Sequence, residues 1–250
     1  MIKLNNQELI KPTIFPDKTS QVWKVNTESL NDHVNSITWE FENEAEFLHV
    51  AQLSDLVRSL KPNANLTLFV PYFPYARQDK EVSNNSTFAL RTFCKLLDSL
   101  DFNNIVTNDL HSDVAKHYLK LIDLKPIHEI EMAMLKTKST VVIFPDKGAK
   151  ERYSYLEFKS LNVEKERDQQ TGALMIKGIE GDTRCIENAN LLIVDDLCDG
   201  GGTFILTAKL LHEFKPNSIS LYTTHGIYSK GIDIIKEAGI QRVFNLKGEV

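Results

Sequence analysis

The chain has 250 residues, 42% hydrophobic and 25% charged, a balance that excludes an intrinsically disordered or low-complexity chain and leaves room for two domains of ordinary size. With 29 Lys and Arg against 34 Asp and Glu, the net charge is −5, which excludes a general polyanion binder and so argues against nucleic acid as a partner. No apolar run reaches the roughly 20 residues that span a bilayer, the first residues lack a signal-peptide core, and three sparse cysteines (Cys94, Cys185, Cys198) fit a reducing, cytoplasmic setting.

In chain order, Leu53, Leu56, Val57 and Leu60 fall on one helical face, and residues 66–70 read as a buried strand. Residues 87–100 read as a helix, and Ile105 and Val106 as a short strand. Residues 126–138 read as a helix opening a second series, followed by an apolar strand at 141–144. The charged, glycine-containing stretch 159–181 reads as a long loop or mobile hairpin. Residues 191–194 form the next apolar run, and Phe204, Thr207, Ala208 and Leu211 repeat the helical spacing. A short strand at 218–223 and a helix at 229–238 follow. Strands alternating with helices predict an α/β protein with mainly parallel sheets flanked by helices, divided into domains at 1–122 and 123–250.

The most informative segment follows the strand at 191–194: Asp195, Asp196, Leu197, Cys198, Asp199, Gly200, Gly201, Gly202 and Thr203. A strand ending in two carboxylates and a glycine-rich turn at a helix start offers two complementary sites. Backbone amides and the helix N-terminus suit a phosphate; paired carboxylates suit sugar hydroxyls or Mg²⁺. A helix cap after a core strand accounts for one Asp and one Gly, not for three of each. The spacings of the dinucleotide and P-loop fingerprints are absent. Cys198 reads as small filler.

The segment from Asp195 to Thr203 resembles the ribose-phosphate signature of the phosphoribosyltransferase fold. Val70 to Lys80 (VPYFPYARQDK), Thr107 to Ser112 (TNDLHS), Phe144 to Gly148 (FPDKG), Lys165-Glu166-Arg167 and Thr224 to Ser229 (THGIYS) are similar, in order, to motifs of the phosphoribosyl pyrophosphate synthetases, or ribose-phosphate pyrophosphokinases, and the chain is identified as a compact, phage-type member. The resemblance implies two tandem phosphoribosyltransferase-like domains. It also implies transfer of the diphosphoryl group of MgATP to the anomeric hydroxyl of ribose 5-phosphate, with AMP released. By position it implies nucleotide placement by Arg77, Gln78, Asp79 and His111, and metal or phosphate contacts from His111 and Asp146. Asp195 and Asp196 would hold ribose hydroxyls or Mg²⁺, and the turn from Asp199 through Gly200, Gly201 and Gly202 to Thr203 would cradle the 5-phosphate. Lys165, Arg167 and His111 would be catalytic. Phe15 and Asp17 match a segment that completes the ATP site of a neighbouring subunit, implying a homodimer or higher oligomer. Without the resemblance, Lys165 and Arg167 are a solvated charge run.

Three departures stand out. Gly200 replaces a threonine of the phosphate turn, the basic stretch after Asp79 is reduced to Lys80, and the chain is shorter than typical members. Weak anion regulation is the expectation from the second. The first leaves a roomier turn, so ADP-ribose is an alternative acceptor. A regulatory subunit without activity, or a phosphoribosyltransferase, are the competing readings. A cytoplasmic location is expected, in a host cell for a phage-encoded copy.

Overall fold

A computed structural model describes residues 1–8, 12–167 and 174–250; the side chains of Glu8, Glu166, Arg167, Leu174 and Met175 lie outside the described residues. The chain divides into two compact units, Met1–Lys125 and Pro126–Val250.

The first unit contains β1 (Ile2–Leu4), β2 (Gln7–Glu8), β3 (Thr13–Ile14), β4 (Ser20–Gln21), β5 (Val34–Trp39), α1 (Glu46–Leu60), β6 (Asn65–Phe69), α2 (Ala89–Asp98), β7 (Asn104–Asn108) and β8 (Leu121–Leu124). Six strands form one sheet in the order β2-β1-β5-β6-β7-β8, parallel from β5 to β8. β8 pairs with β7, so this unit runs to Lys125 rather than ending at residue 122. On α1 the fully buried residues are Val50, Leu53 and Val57, while Leu60 is exposed. Trp39, Phe47, Phe73, Tyr75 and Phe93 pack as an aromatic cluster in the core of this unit.

The second unit contains α3 (Ile127–Thr137), β9 (Val141–Phe144), α4 (Lys147–Arg152), β10 (Ser160–Arg167), β11 (Leu174–Glu180), β12 (Asn190–Cys198), α5 (Gly202–His212), β13 (Ser218–Gly226), α6 (Asp233–Glu237), β14 (Arg242–Asn245) and β15 (Gly248–Glu249). Its sheet has the order β11-β10-β9-β12-β13-β14-β15, with five central parallel strands and an antiparallel strand at each edge. β9 and the apolar half of β12 are buried throughout, as a sheet covered on both faces requires. On α5 the buried residues are Phe204, Thr207, Ala208 and Leu211, the face read from the sequence.

One expectation is narrowed and one is corrected. Of the loop or hairpin expected over 159–181, the described parts are mainly the antiparallel strands β10 and β11, with Leu161 and Val163 buried and a bulge between Glu164 and Lys165. The helix expected over 229–238 is only Asp233–Glu237, because Gly231 takes φ 79, outside the range of a right-handed helix.

Candidate functional site

In the second unit the direction of winding reverses between β9 and β12. The chain leaving β9 returns through α4 to β10 on one side; the chain leaving β12 returns through α5 to β13 on the other. Connections that diverge in this way leave a crevice at the carboxyl ends of the two strands, where α/β sheets bind ligands. The residues singled out in this unit by the sequence lie there or on the adjoining β10.

From β9 comes Asp146, whose carboxylate caps α4 by accepting from the Ala149 N–H at 2.8 Å. From β10 comes Lys165, just past the bulge, with Nζ 2.5 Å from Asp146 Oδ2. Arg167 ends the same strand, and its side chain is outside the described residues. From β12 come the paired carboxylates. Asp195 Oδ1 accepts from the Asp196 N–H at 2.9 Å, and Asp196 Oδ2 accepts from Arg152 Nη1 at 2.9 Å. Burial first, then the charges of Asp196 and Asp146, push the Asp195 carboxyl well above the usual carboxylate range. The two aspartates are thus unequal: one has an arginine, the other faces two carboxylates.

The chain then turns through Asp199 and Gly200 into α5. Gly201 caps the helix at φ 73, and a β-carbon there would lie 3.0 Å from Ile235 Cγ1, so both conformation and space call for glycine. Gly202 has open space where a β-carbon would stand and is exposed; Thr203 is half-buried. This bare backbone at the N-terminus of an 11-residue helix presents amides to an anion. Cys198 is fully buried, and burial, then Asp195 and Asp199, pushes its thiol up to about 12, which suits a packing role rather than a nucleophile.

Mg²⁺ takes oxygen ligands and keeps several waters. Among the described residues no group of three or more His, Cys, Asp or Glu is gathered to cage a metal, and Asp196 and Asp146 already face Arg152 and Lys165. Asp195, a hard oxygen donor beside two further carboxylates, fits a Mg²⁺ that draws its remaining ligands from phosphate and water.

In the first unit, Arg77, Gln78 and Asp79 follow β6 and His111 follows β7; these neighbouring strands place them at one end of the sheet. The segment after β6 is pinned. Pro71 O accepts from the Asn108 N–H, Phe73 and Ala76 are buried, and Tyr75 adopts φ 61 with its hydroxyl donating to Glu44 Oε1 at 2.5 Å. Glu44 beside that hydroxyl, with burial, pushes the Tyr75 phenol up to about 12. Gln78 takes part at both backbone groups, its N–H donating to Tyr75 O and its carbonyl accepting from Leu90 N–H, and both Arg77 and Gln78 are exposed residues. His111 is half-buried beyond Asp109 at φ 46, and the Leu110 N–H donates to Asp123 Oδ1. Phe15 and Asp17 lie on the turn of the β3–β4 ribbon, away from these residues in the chain. Phe15 is 40% exposed, and Asp17 is occupied by the Thr19 hydroxyl and N–H, whose hydrogen bonds hold its carboxyl below the usual range.

Two groups in the second unit had no signal in the sequence. Arg152 meets Asp196 only because α4 is laid against β12 by the fold. Lys230, in the loop after β13, rests its stem on Gly200: a β-carbon at Gly200 would lie 3.5 Å from its Cδ and Cε. Each is one charged residue among 29 cations, with no local pattern to mark it.

Residues 134–245 match the phosphoribosyl transferase domain family. Across the chain, similarity extends to ribose-phosphate pyrophosphokinases. That of Saccharolobus solfataricus is 24% identical over 258 residues, covering 96% of this chain and 82% of the relative. Those of Mycoplasmopsis pulmonis and Mycoplasma genitalium are 28% and 29% identical, covering 77% and 66% of this chain but only 62% and 51% of the relatives. The crystal structure of phosphoribosylpyrophosphate synthetase from Mycobacterium smegmatis superposes with a TM-score of 0.72 at 21% identity, covering 94% of this chain and 78% of the other, a likeness of fold. No helix among the described residues is long and apolar enough to cross a membrane.

Proposed function

We propose that this chain, a relative of the ribose-phosphate pyrophosphokinases with a phosphoribosyl transferase domain in its second unit, transfers the β,γ-diphosphoryl group of ATP to the anomeric hydroxyl of ribose 5-phosphate. The observation that carries this reading is Lys165 Nζ, 2.5 Å from Asp146, at the end of the sheet that also presents Asp195 and the glycine turn. One crevice thus offers a cation for a transferring phosphoryl group, a carboxylate for sugar hydroxyls and bare amides for a terminal phosphate.

In the reaction the anomeric oxygen attacks the β-phosphorus, the bond to the α,β-bridging oxygen breaks, AMP departs with that oxygen, and the hydroxyl proton is lost to solvent or a base. The protein's task is alignment and charge neutralisation. Lys165 and Arg167 oppose the charge that develops on the transferring oxygens. Asp195 and Asp196 orient the ribose hydroxyls, while the turn from Asp199 to Thr203 fixes the 5-phosphate. In the first unit Arg77 stacks on the adenine, Gln78 and Asp79 place the nucleotide, and His111 meets its phosphates. Asp195 would hold a Mg²⁺, which would supply charge neutralisation at the transferring group. Phe15 and Asp17 serve the nucleotide of a second copy in a homodimer.

A second reading keeps the chemistry and makes ADP-ribose the acceptor. The open face of the turn at Gly202, where nothing lies within 4 Å of an added β-carbon, favours it, since a substituted 5-phosphate can be accommodated there; at Gly200 that position is lined by the Lys230 stem. Mass spectrometry of products from MgATP with ribose 5-phosphate and, in parallel, ADP-ribose tests both. AMP should appear only with an acceptor, together with its diphosphorylated product. No AMP with either ends the reading; consumption of phosphoribosyl pyrophosphate by a free base without ATP selects a phosphoribosyltransferase instead.

A further inference from the structure

The loop that joins β13 to α6 carries one lysine, Lys230. The Ile227 and Tyr228 N–H groups both donate to the Cys198 carbonyl, at 2.8 and 3.2 Å, fastening the loop to the end of β12 just before the glycine turn. The Tyr228 ring lies on the bare α-carbon of Gly226: a β-carbon there would be 2.1–2.5 Å from its ring and hydroxyl atoms. Tyr228 is held at φ 50, an uncommon conformation for a bulky residue, and the Gly231 N–H closes the turn on the Tyr228 carbonyl at 2.8 Å. What this arrangement presents is Lys230, whose Cδ and Cε lie 3.5 Å from the position a β-carbon of Gly200 would take. The branched side chain of a threonine at 200 would compete with that stem.

The charges at this end of the sheet are unevenly committed. Arg152 serves Asp196 and Lys165 serves Asp146. Lys230 is exposed, and among the described residues it has no ion-pair partner. The phosphate turn itself follows three carboxylates, Asp195, Asp196 and Asp199, so an anion arriving there needs a cation in addition to backbone amides.

We propose that Lys230 is a specificity-determining residue of the acceptor site: its ammonium, carried across Gly200, binds the phosphate of the acceptor and takes the place of a side-chain donor within the turn. This deepens the pyrophosphokinase reading and rests on its assignment of residues 199–203 to the acceptor phosphate. A compact ammonium at the mouth of the turn can also reach a second phosphate on the acceptor.

The test is Lys230→Met, which keeps most of the stem and removes the charge, with Lys230→Gln as a second variant. Calorimetric titration of the whole protein with ribose 5-phosphate, and separately with ADP-ribose, reads acceptor binding without turnover. The expected result is that both variants raise the acceptor Kd and KM about tenfold or more and leave the KM for ATP within about twofold. Removing the charge should also lower the dependence of acceptor binding on salt. Unchanged acceptor binding in both variants, or an equal loss for ATP and acceptor, overturns the assignment while the wild type still binds and turns over. A wild-type protein that binds neither acceptor and makes no AMP overturns the pyrophosphokinase reading, and the role of Lys230 with it.

Discussion

Arg152 Nη1 lies 2.9 Å from Asp196 Oδ2 with the two side chains only 14% and 5% exposed, so one of the two adjacent aspartates is neutralised by the protein itself. Asp195, one residue earlier, accepts from the Asp196 N–H, and its carboxyl is raised by burial and by the charges of Asp196 and Asp146 instead. The asymmetry leaves the pair with one carboxylate whose charge Arg152 already balances and one beside like charges. Removing one partner of a nearly buried pair leaves the other charge uncompensated, at a cost of about 3–5 kcal/mol. Arg152→Met is therefore expected to lower the stability of the protein by that order in chemical denaturation, and Asp196→Asn by less, since a neutral amide can still accept from the guanidinium. Equal stability of Arg152→Met and wild type would remove the pair from any structural role.

Asp195 carries the opposite expectation. Its carboxyl, ordinarily near 3.8, is raised in the folded state by burial and by its two acidic neighbours. Between 3.8 and that raised value the folded chain keeps a proton that the unfolded chain has released, so this residue's contribution to stability falls as pH rises through the window. Asp195→Asn removes the penalty. Its melting temperature should match wild type in acid and exceed it increasingly toward neutral pH, while turnover falls because the carboxylate charge that the proposed chemistry uses on the ribose hydroxyls and Mg²⁺ is gone. A thermal-shift series across pH checks this; a variant less stable than wild type at neutral pH contradicts it.

How much of this could be read beforehand depended on whether burial follows apolarity. β9, the apolar half of β12 and α5 were legible, since every inward residue there is apolar or small. β5 was not: its buried set is Asn35, Ile37 and Trp39, and Asn35 breaks the apolar alternation while its amide is satisfied by Asn5 and Asn31. β10 was hidden the same way, with Asn162 buried between Leu161 and Val163 and a charged run beyond. In the site, the carboxylates and glycines of residues 195–203 form one continuous signal and were legible. Arg152 and Lys230 were not, for their partners lie 44 and 30 residues away and only the sheet order brings them together.

Lys165 is the group the proposed chemistry asks most of. Its ammonium is already positioned by Asp146, and that carboxylate keeps the Ala149 N–H when the lysine is removed, so Lys165→Ala should leave the start of α4 in place. A donor aimed at charge that develops only in the transition state is expected to affect turnover by about 10²- to 10³-fold. The Kd for ATP should change far less. Steady-state rates alongside direct ATP binding distinguish the two; parallel losses in both would make Lys165 a ground-state contact.

Gly201 and Gly202 are neighbours with different reasons to be glycine, and alanine separates them. At Gly201 the φ of 73 and the 3.0 Å approach to Ile235 Cγ1 both oppose a methyl group, so Gly201→Ala should destabilise the second unit by about 1–2 kcal/mol. At Gly202 nothing lies within 4 Å of the added carbon, and alanine is the better helix former, so the melting temperature should hold or rise. The same methyl group stands at the exposed face of the turn, where a phosphate must come close to the backbone amides. Gly202→Ala is therefore expected to weaken ribose 5-phosphate binding while leaving ATP binding intact, measured by calorimetry on a protein whose fold is unchanged. An unaltered acceptor affinity would mean that the phosphate does not approach this side of the turn.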